Sequence, residues 1–173
     1  MIVKIERPIV REMNIRDLKM VLRIDRLSFP IPWSERTYRF ELSENNAAHL
    51  YVAEIEEEGK WRVVGYIGYW SIIDEAHIST LAVHPDYREQ GIGELLLRRA
   101  LSLAARSGAT IATLEVRESN KIAQNLYRKY GFRIVGKRSR YYRDNNEDAH
   151  IMMLDDLGSV MSHHREFLRE SRG

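Results

Sequence analysis

An apolar run, Ile78 to Val83, leads into His84-Pro85-Asp86-Tyr87-Arg88-Glu89-Gln90-Gly91-Ile92-Gly93 and then into an amphipathic stretch reaching Ser107. This segment constrains the chain more than any other, because its order reads as strand, tight turn, helix. Gly91 and Gly93 remove two side chains where the helix begins, so backbone N–H groups left unpaired in its first turn can be approached closely. The helix dipole adds partial positive charge there, and Arg88 stands just before it, which makes a phosphate the natural guest. The P-loop pattern is absent, and Leu96 occupies the place of the third glycine in the dinucleotide fingerprint. Taken alone, Gly-x-Gly fits an ordinary strand-to-helix turn equally well.

The 173 residues suit a single domain with a full core, read here as residues 1–154 followed by a charged tail, 155–173. A net charge of +2 is too small to argue for nucleic acid, and only Lys137-Arg138-Ser139-Arg140 would support such a partner. No apolar run approaches the ~20 residues of a membrane span and the amino terminus lacks a secretory apolar region, so no membrane contact and a cytoplasmic location are expected. The absence of cysteine excludes disulfides, a zinc-thiolate site and a cysteine nucleophile. His163-His164 is too isolated to count as a metal site, and no metal is expected.

Along the chain, Ile2 to Glu12 is extended in character, and Pro8 favours an edge position. Asn14 reads as a helix N-cap with Asp17 three residues on, and Ile15, Leu18, Val21, Leu22 and Ile24 share one apolar face, taken as core. Phe29-Pro30-Ile31-Pro32-Trp33 breaks that helix, and Ser34 starts another. The aromatic and proline residues of this break could form a rigid peptide-binding lip or a hydrophobic plug between helices. His49–Glu56 and Trp61–Ile72 alternate as two strands around the turn Glu58-Gly59-Lys60, and His77–Val83 is the next strand. The helix from Gly91 to Ser107 turns Ile92, Leu95, Leu96, Ala100, Leu103 and Ala104 inward and stops at Gly108. Thr110–Val116 is a buried strand. Ile122, Ala123, Leu126, Tyr127 and Tyr130 then mark a helix closed by Gly131, and Phe132–Val135 with Ala149–Leu154 makes a last strand pair. The order implies a mixed sheet with helices packed on its faces.

Arg88-Glu89-Gln90-Gly91-Ile92-Gly93 matches the Arg/Gln-x-x-Gly-x-Gly/Ala signature of the GNAT superfamily of N-acetyltransferases, whose loop holds the pyrophosphate of acetyl-coenzyme A. Three further segments resemble one subgroup, the bacterial ribosomal-protein alanine N-acetyltransferases and the catalytic subunits of archaeal and eukaryotic N-terminal acetyltransferase complexes. They are Phe29-Pro30-x-Pro32-Trp33; Leu114-Glu115-Val116-Arg117-x-Ser119-Asn120 with Leu126-Tyr127 and Gly131-Phe132; and Tyr141-Tyr142 with Glu147-Asp148-Ala149. Together the four cover most of residues 9–154.

The resemblance implies the GNAT fold, α/β (α+β), with a mixed, mostly antiparallel sheet splayed in the middle between the strands ending near Val83 and Val116, and helices on both faces. It implies acetyl-CoA as cofactor, with Leu81, Ala82 and Val83 binding the pantetheine arm through their backbones and the turn Glu89, Gln90, Gly91, Ile92, Gly93 and Glu94 taking the pyrophosphate alongside Arg88. Asn120 would hydrogen-bond the cofactor and Tyr127 would lie beside its sulfur. Phe29, Pro30, Ile31, Tyr141 and Tyr142 would hold a peptide, the substrate being a protein or peptide N-terminus; a ribosome contact or an auxiliary subunit stays open. Complex-type catalytic subunits often carry an acidic residue in the lip where this chain has Ile31, which favours a small or apolar first residue here.

The chemistry itself can be argued from the residues. An α-amine with a reference pKa of ~8 is mostly protonated near pH 7 and cannot attack a thioester, so a base is needed. Glu115 sits in an alternating strand where a buried carboxylate is costly unless paired or used. His77 opens a neighbouring strand, and the two could hold a water that relays the proton. Tyr127, neutral near pH 7, can protonate the departing thiolate. Each has a structural alternative: Glu115 bridging to Arg117 or another basic residue, His77 as a surface or satisfied residue, Tyr127 as a core aromatic. The main expectation is therefore an acetyl-CoA-dependent protein N-terminal acetyltransferase, an acyltransferase. A lysine or small-amine acetyltransferase of the same fold, or a CoA-binding subunit without catalysis, are the alternatives.

Overall fold

The computed structural model describes residues 7–162. Seven strands are hydrogen-bonded in the order β1-β2-β3-β4-β5-β7-β6. They are β1 (Ile9–Glu12), β2 (Ala48–Glu57), β3 (Lys60–Ile72), β4 (Glu75–Val83), β5 (Ile111–Arg117), β6 (Arg133–Tyr142) and β7 (Glu147–Leu154). Among the described residues the helices between these strands are α1 (Leu18–Ser28), α2 (Glu35–Ser43), α3 (Ile92–Arg106) and α4 (Lys121–Lys129). The described residues form two compact units, one running to Trp70 and including Ser79–Ala100, the other made of Ser71–Ile78 and the residues from Leu101 onward.

In the first unit β1 lies at the sheet edge, antiparallel to β2, which pairs in turn with β3 around the tight turn at Glu58-Gly59. Asn14 and Asp17 make the reciprocal capping box, although its first turn is a short 3-10 helix, Ile15–Asp17, that leads into α1. Leu18, Val21 and Ile24 of α1 pack with Tyr38, Leu50, Val52, Tyr66 and Ala82 in one cluster. Ile15, expected on that face, is half exposed because it belongs to the 3-10 turn and lies off the α-helical stripe. The opposite sheet face carries α3: a Cβ on Gly65 would meet Leu96 and Ile92, while Tyr66, next in the strand, points into the α1 and α2 cluster. Helices thus cover both faces of this part of the sheet. Along α3, Ile92, Leu96, Ala100 and Ala104 are buried as their spacing predicts, together with Leu97 and Leu101, whereas Leu95 and Leu103 are only half-buried.

In the second unit the start of β4 runs parallel to β5, with Glu75 opposite Ile111 and His77 opposite Thr113. β5 and β6 each pair antiparallel with β7. The final strand pair is longer than its apolar residues indicate, because β6 runs on through Gly136 to Tyr142. Its register shifts after Ile134 and after Arg138, and Arg140 has a left-handed backbone (φ 51°), so no alternation marks residues 136–142 as a strand. In α4, Tyr127 is buried, as is Tyr130 at its end, and Ala123 and Leu126 are half-buried, in line with their spacing, whereas Ile122 faces solvent and the fully buried Gln124 points inward in its place. The charged tail segment begins with helical residues 157–162, which bury Leu157 and Met161; His163-His164 lies outside the described residues.

Candidate active site

Alternation along β4 and β5 places Glu75 with His77, and Thr113 with Glu115, on one sheet face, while Ala76, Ala112, Leu114 and Val116 point to the other and are buried. The four polar side chains are linked. His77 Nε2 stands 3.0 Å from Glu115 Oε2, and His77 Nδ1 stands 2.8 Å from Thr113 Oγ1. The Thr113 hydroxyl donates to Glu75 Oε1. Glu115 Oε1 accepts from Arg138 Nε of β6 at 3.2 Å, so both of its oxygens are engaged. The hydrogen bond from His77, reinforced by the charge of Arg138 and opposed by burial, holds the Glu115 carboxyl below its ordinary range. Glu115 is therefore ionised at neutral pH. Its bridge is to Arg138, whereas Arg117 pairs with Asp144 (2.8 Å) and Glu147 (3.3 Å) and stacks over Tyr142 at 3.9 Å.

Tyr127 lies on the buried side of α4 beside Phe132, with ring centroids 5.7 Å apart. Burial, with a contribution from Tyr142, pushes its phenol well above the usual tyrosine value. Burial likewise pushes Tyr142 up to about 12, whereas Tyr141 is half exposed and packs edge-on against Tyr142. Asn120 caps α4, its Oδ1 accepting from Ala123 N–H at 3.1 Å, which leaves its amide N–H groups for other acceptors. Behind that cap, Gln124 Nε2 donates to the carbonyls of Arg117 and Glu118 and fixes the turn between β5 and α4.

In the first unit, the turn before α3 carries Glu89 and Gly91 in left-handed conformations, φ 62° and 79°. Gly91 is there for its backbone. Gly93 is different: a Cβ at this position would meet only Val83 Cγ2, at an ordinary 3.7 Å, so packing within the protein does not demand glycine. Glu94 lies in the first helical turn. Arg88 donates to the Val83 carbonyl at 2.9 Å and to Ser28 Oγ at 3.1 Å, tying the turn to β4 and α1. Leu81, Ala82 and Val83 end β4. The lip divides between its two readings. Phe29 and Trp33 pack on the core cluster as a plug, with Trp33 N–H bound to Asp25 Oδ2 at 2.7 Å, while Pro30 and Ile31 face solvent, Ile31 at 59% exposure.

Sequence reasoning missed Glu75, Thr113 and Arg138. The spacings Glu75-x-His77 and Thr113-x-Glu115 were a usable signal, since residues two apart on a strand share a face. Arg138 had none, because it stands in the basic segment Lys137-Arg138-Ser139-Arg140, where no alternation singles it out.

Residues 18–132 match the model of the acetyltransferase (GNAT) family. The chain belongs to that family. As a GNAT acetyltransferase it is similar to the ribosomal protein bS18 alanine N-acetyltransferase of Escherichia coli, 31% identical over 147 residues, which span 84% of this chain and 95% of that protein. The crystal structure of the E. coli enzyme matches with a TM-score of 0.74 over 86% of this chain and 93% of the other. A Bacillus subtilis protein provisionally named for the same reaction is 43% identical over 145 residues, 84% of this chain and 93% of that one. An N-alpha-acetyltransferase of Sulfurisphaera tokodaii is 33% identical over 156 residues, 83% and 90% of the two chains. This GNAT acetyltransferase is accordingly an acetyl-CoA-dependent protein N-acetyltransferase with the mixed-sheet fold of its family. Among the described residues no helix is long and apolar enough to cross a membrane.

Proposed function

We propose that residues 1–154 act as one domain that acetylates the α-amine of a protein N-terminus, a ribosomal protein beginning with alanine being the leading candidate, in the cytoplasm. The names of the relatives that are 31–43% identical support the substrate class. The single observation that carries the chemistry is Glu115, half-buried yet held ionised between His77 and Arg138. A carboxylate in that state attracts an α-ammonium, orients it and takes its proton directly or through one water, leaving the neutral amine to attack. Of its two partners Arg138 is the more exposed, so it is the one an incoming ammonium displaces.

Acetyl-CoA supplies the acetyl thioester. The turn from Arg88 to Glu94 fits its pyrophosphate, since Gly93 leaves room that the fold does not use and the first-turn N–H groups of α3 open onto it. Leu81–Val83 would bind the pantetheine arm through backbone groups, and the amide N–H groups of Asn120 would donate to the cofactor. Tyr127, kept protonated by burial, donates a hydrogen bond and then its proton to the departing sulfur. In the first unit Pro30 and Ile31, and in the second Tyr141 and Tyr142, are each candidate contacts for the peptide's first residues.

Thiol release from acetyl-CoA across peptides differing only in their first two residues tests this reading. Ala-, Ser- and Met-initiated peptides should exceed Asp- and Glu-initiated ones in kcat/KM, and a peptide with a blocked α-amine but a free lysine should give no turnover. Preference for the lysine peptide would replace the proposal with side-chain acetylation. Gly93→Ala should weaken CoA binding by more than tenfold with Tm nearly unchanged, as read by calorimetric titration.

A further inference from the structure

We propose that Glu75, acting through the Thr113 hydroxyl, keeps His77 protonated on both ring nitrogens, so that its Nε2–H is a fixed donor to Glu115. The inference rests on the reading of Glu115 as the base and assigns Glu75 and Thr113 as positioning residues for it.

The hydrogens along the four linked side chains can be counted. An ionised carboxylate only accepts, and a threonine hydroxyl has one hydrogen to give. Thr113 gives that hydrogen to Glu75. Its oxygen, 2.8 Å from His77 Nδ1, can therefore only accept, and Nδ1 must carry a proton. The other ring nitrogen, Nε2, faces a second carboxylate oxygen at 3.0 Å and must donate as well. A ring that donates from both nitrogens is an imidazolium. One arrangement that avoids this charge puts the proton on Glu115, against the pull of Arg138 on that carboxyl; the other puts the proton on Glu75, reverses the Thr113 hydroxyl and leaves Nδ1 as an acceptor. That costs Glu75 its acceptor role, although the parallel register and the same-face spacing deliver its carboxylate to Thr113.

The consequence for chemistry is a division of labour. An imidazolium has no lone pair, so His77 does not take the substrate's proton; it holds Glu115 in place and ionised. Glu115 remains the one acceptor, with Arg138 as its exchangeable partner.

Nitrogen NMR of the full chain at pH 7 reads the ring directly, the His77 signals being identified by their loss in His77→Gln. Wild type should show both ring nitrogens protonated, and Glu75→Gln should show one. Thr113→Val, which removes the hydroxyl, should also show one, and Thr113→Ser, which restores it, should show two. Both disruptive variants should lose roughly three- to tenfold in kcat with CoA affinity unchanged, Thr113→Ser recovering most of the loss. If Glu75→Gln does not fold, Thr113→Val and Thr113→Ser carry the same test. A single protonated ring nitrogen in wild type overturns the proposal, as does a second proton that survives Glu75→Gln or Thr113→Val. Loss of that proton with kcat intact would overturn the positioning role. Should wild type acetylate no peptide, the proposed function falls while the NMR result still decides the charge on His77.

Discussion

Asp25 and Glu115 are both carboxylates withdrawn from water, and the fold treats them in opposite ways. Asp25, on α1, is 1% exposed and receives only neutral donors: Trp33 N–H at 2.7 Å, the Tyr38 hydroxyl at 3.1 Å and the Tyr66 hydroxyl. Burial dominates and raises its pKa. Glu115 receives an imidazole and a guanidinium, and its pKa is lowered. Three neutral donors hold a backbone in place, here the Trp33 end of the lip, but offer nothing for a cationic substrate to replace. A ring nitrogen and a half-exposed guanidinium keep the charge and leave one position open to exchange. Partner chemistry, more than depth of burial, separates a structural acid from a candidate base.

Isosteric replacement sharpens this contrast most. Glu115→Gln should lower kcat by about 100- to 10,000-fold, the usual contribution of a general base, with CoA affinity within about twofold of wild type. Asp25→Asn, measured the same way, should keep kcat within about threefold. A loss below roughly threefold at Glu115, or a larger loss at Asp25, would break the comparison. Stability should respond in reverse. Asp25→Ala leaves a buried N–H and two hydroxyls without their acceptor and should cost about 2–4 kcal/mol in chemical denaturation, whereas Glu115→Gln should cost about 1 kcal/mol or less.

The dependence of Tm on pH carries the same contrast with its sign. A carboxyl whose folded pKa is raised contributes stability that is present below its unfolded value, near 3.8 for Asp25, and lost as pH rises through the folded value. One whose folded pKa is lowered contributes stability present above its unfolded value, near 4.5 for Glu115, and lost as pH falls through the folded one. Acidifying from neutrality toward 4.5 should therefore favour folding at Asp25 while leaving Glu115 untouched, and Asp25→Asn should remove that gain. Scanning calorimetry at several pH values checks it.

The smallest effect concerns Arg138. Arg138→Gln removes a cation that lowers the Glu115 pKa, so the acidic limb of kcat/KM should move to higher pH by about half a unit or less. The size is limited because the guanidinium is half exposed and screened, and added salt should reproduce part of the shift in wild type.

The sequence marks one side of this contrast, Glu115, and carries no local signal for Asp25. Asn14, the Glu58-Gly59 turn and the alternating strands announced the frame, because capping and face alternation are local properties. The glycine turn and Glu115 were legible for the same reason. What could not be read was pairing across strands. Glu75 meets Thr113 through a parallel register that no local pattern encodes, and Arg138 reaches Glu115 from a strand whose breaks at Gly136 and Arg140 erase its periodicity. Ile122 misled because an exposed isoleucine satisfies helical spacing as well as a buried one, while the residue that does point inward, Gln124, is polar.

β6 has one further consequence, for the behaviour of the protein in solution. Among the described residues it is the last strand of its sheet, and an outer strand with unpaired backbone groups invites a neighbouring molecule to add on. Arg133, Lys137, Arg138 and Arg140, together with two breaks of register, make such addition unfavourable. Arg138 therefore serves colloidal stability as well as the candidate site, and stripping charge from this strand should produce preparations that self-associate at high concentration even where each molecule remains correctly folded.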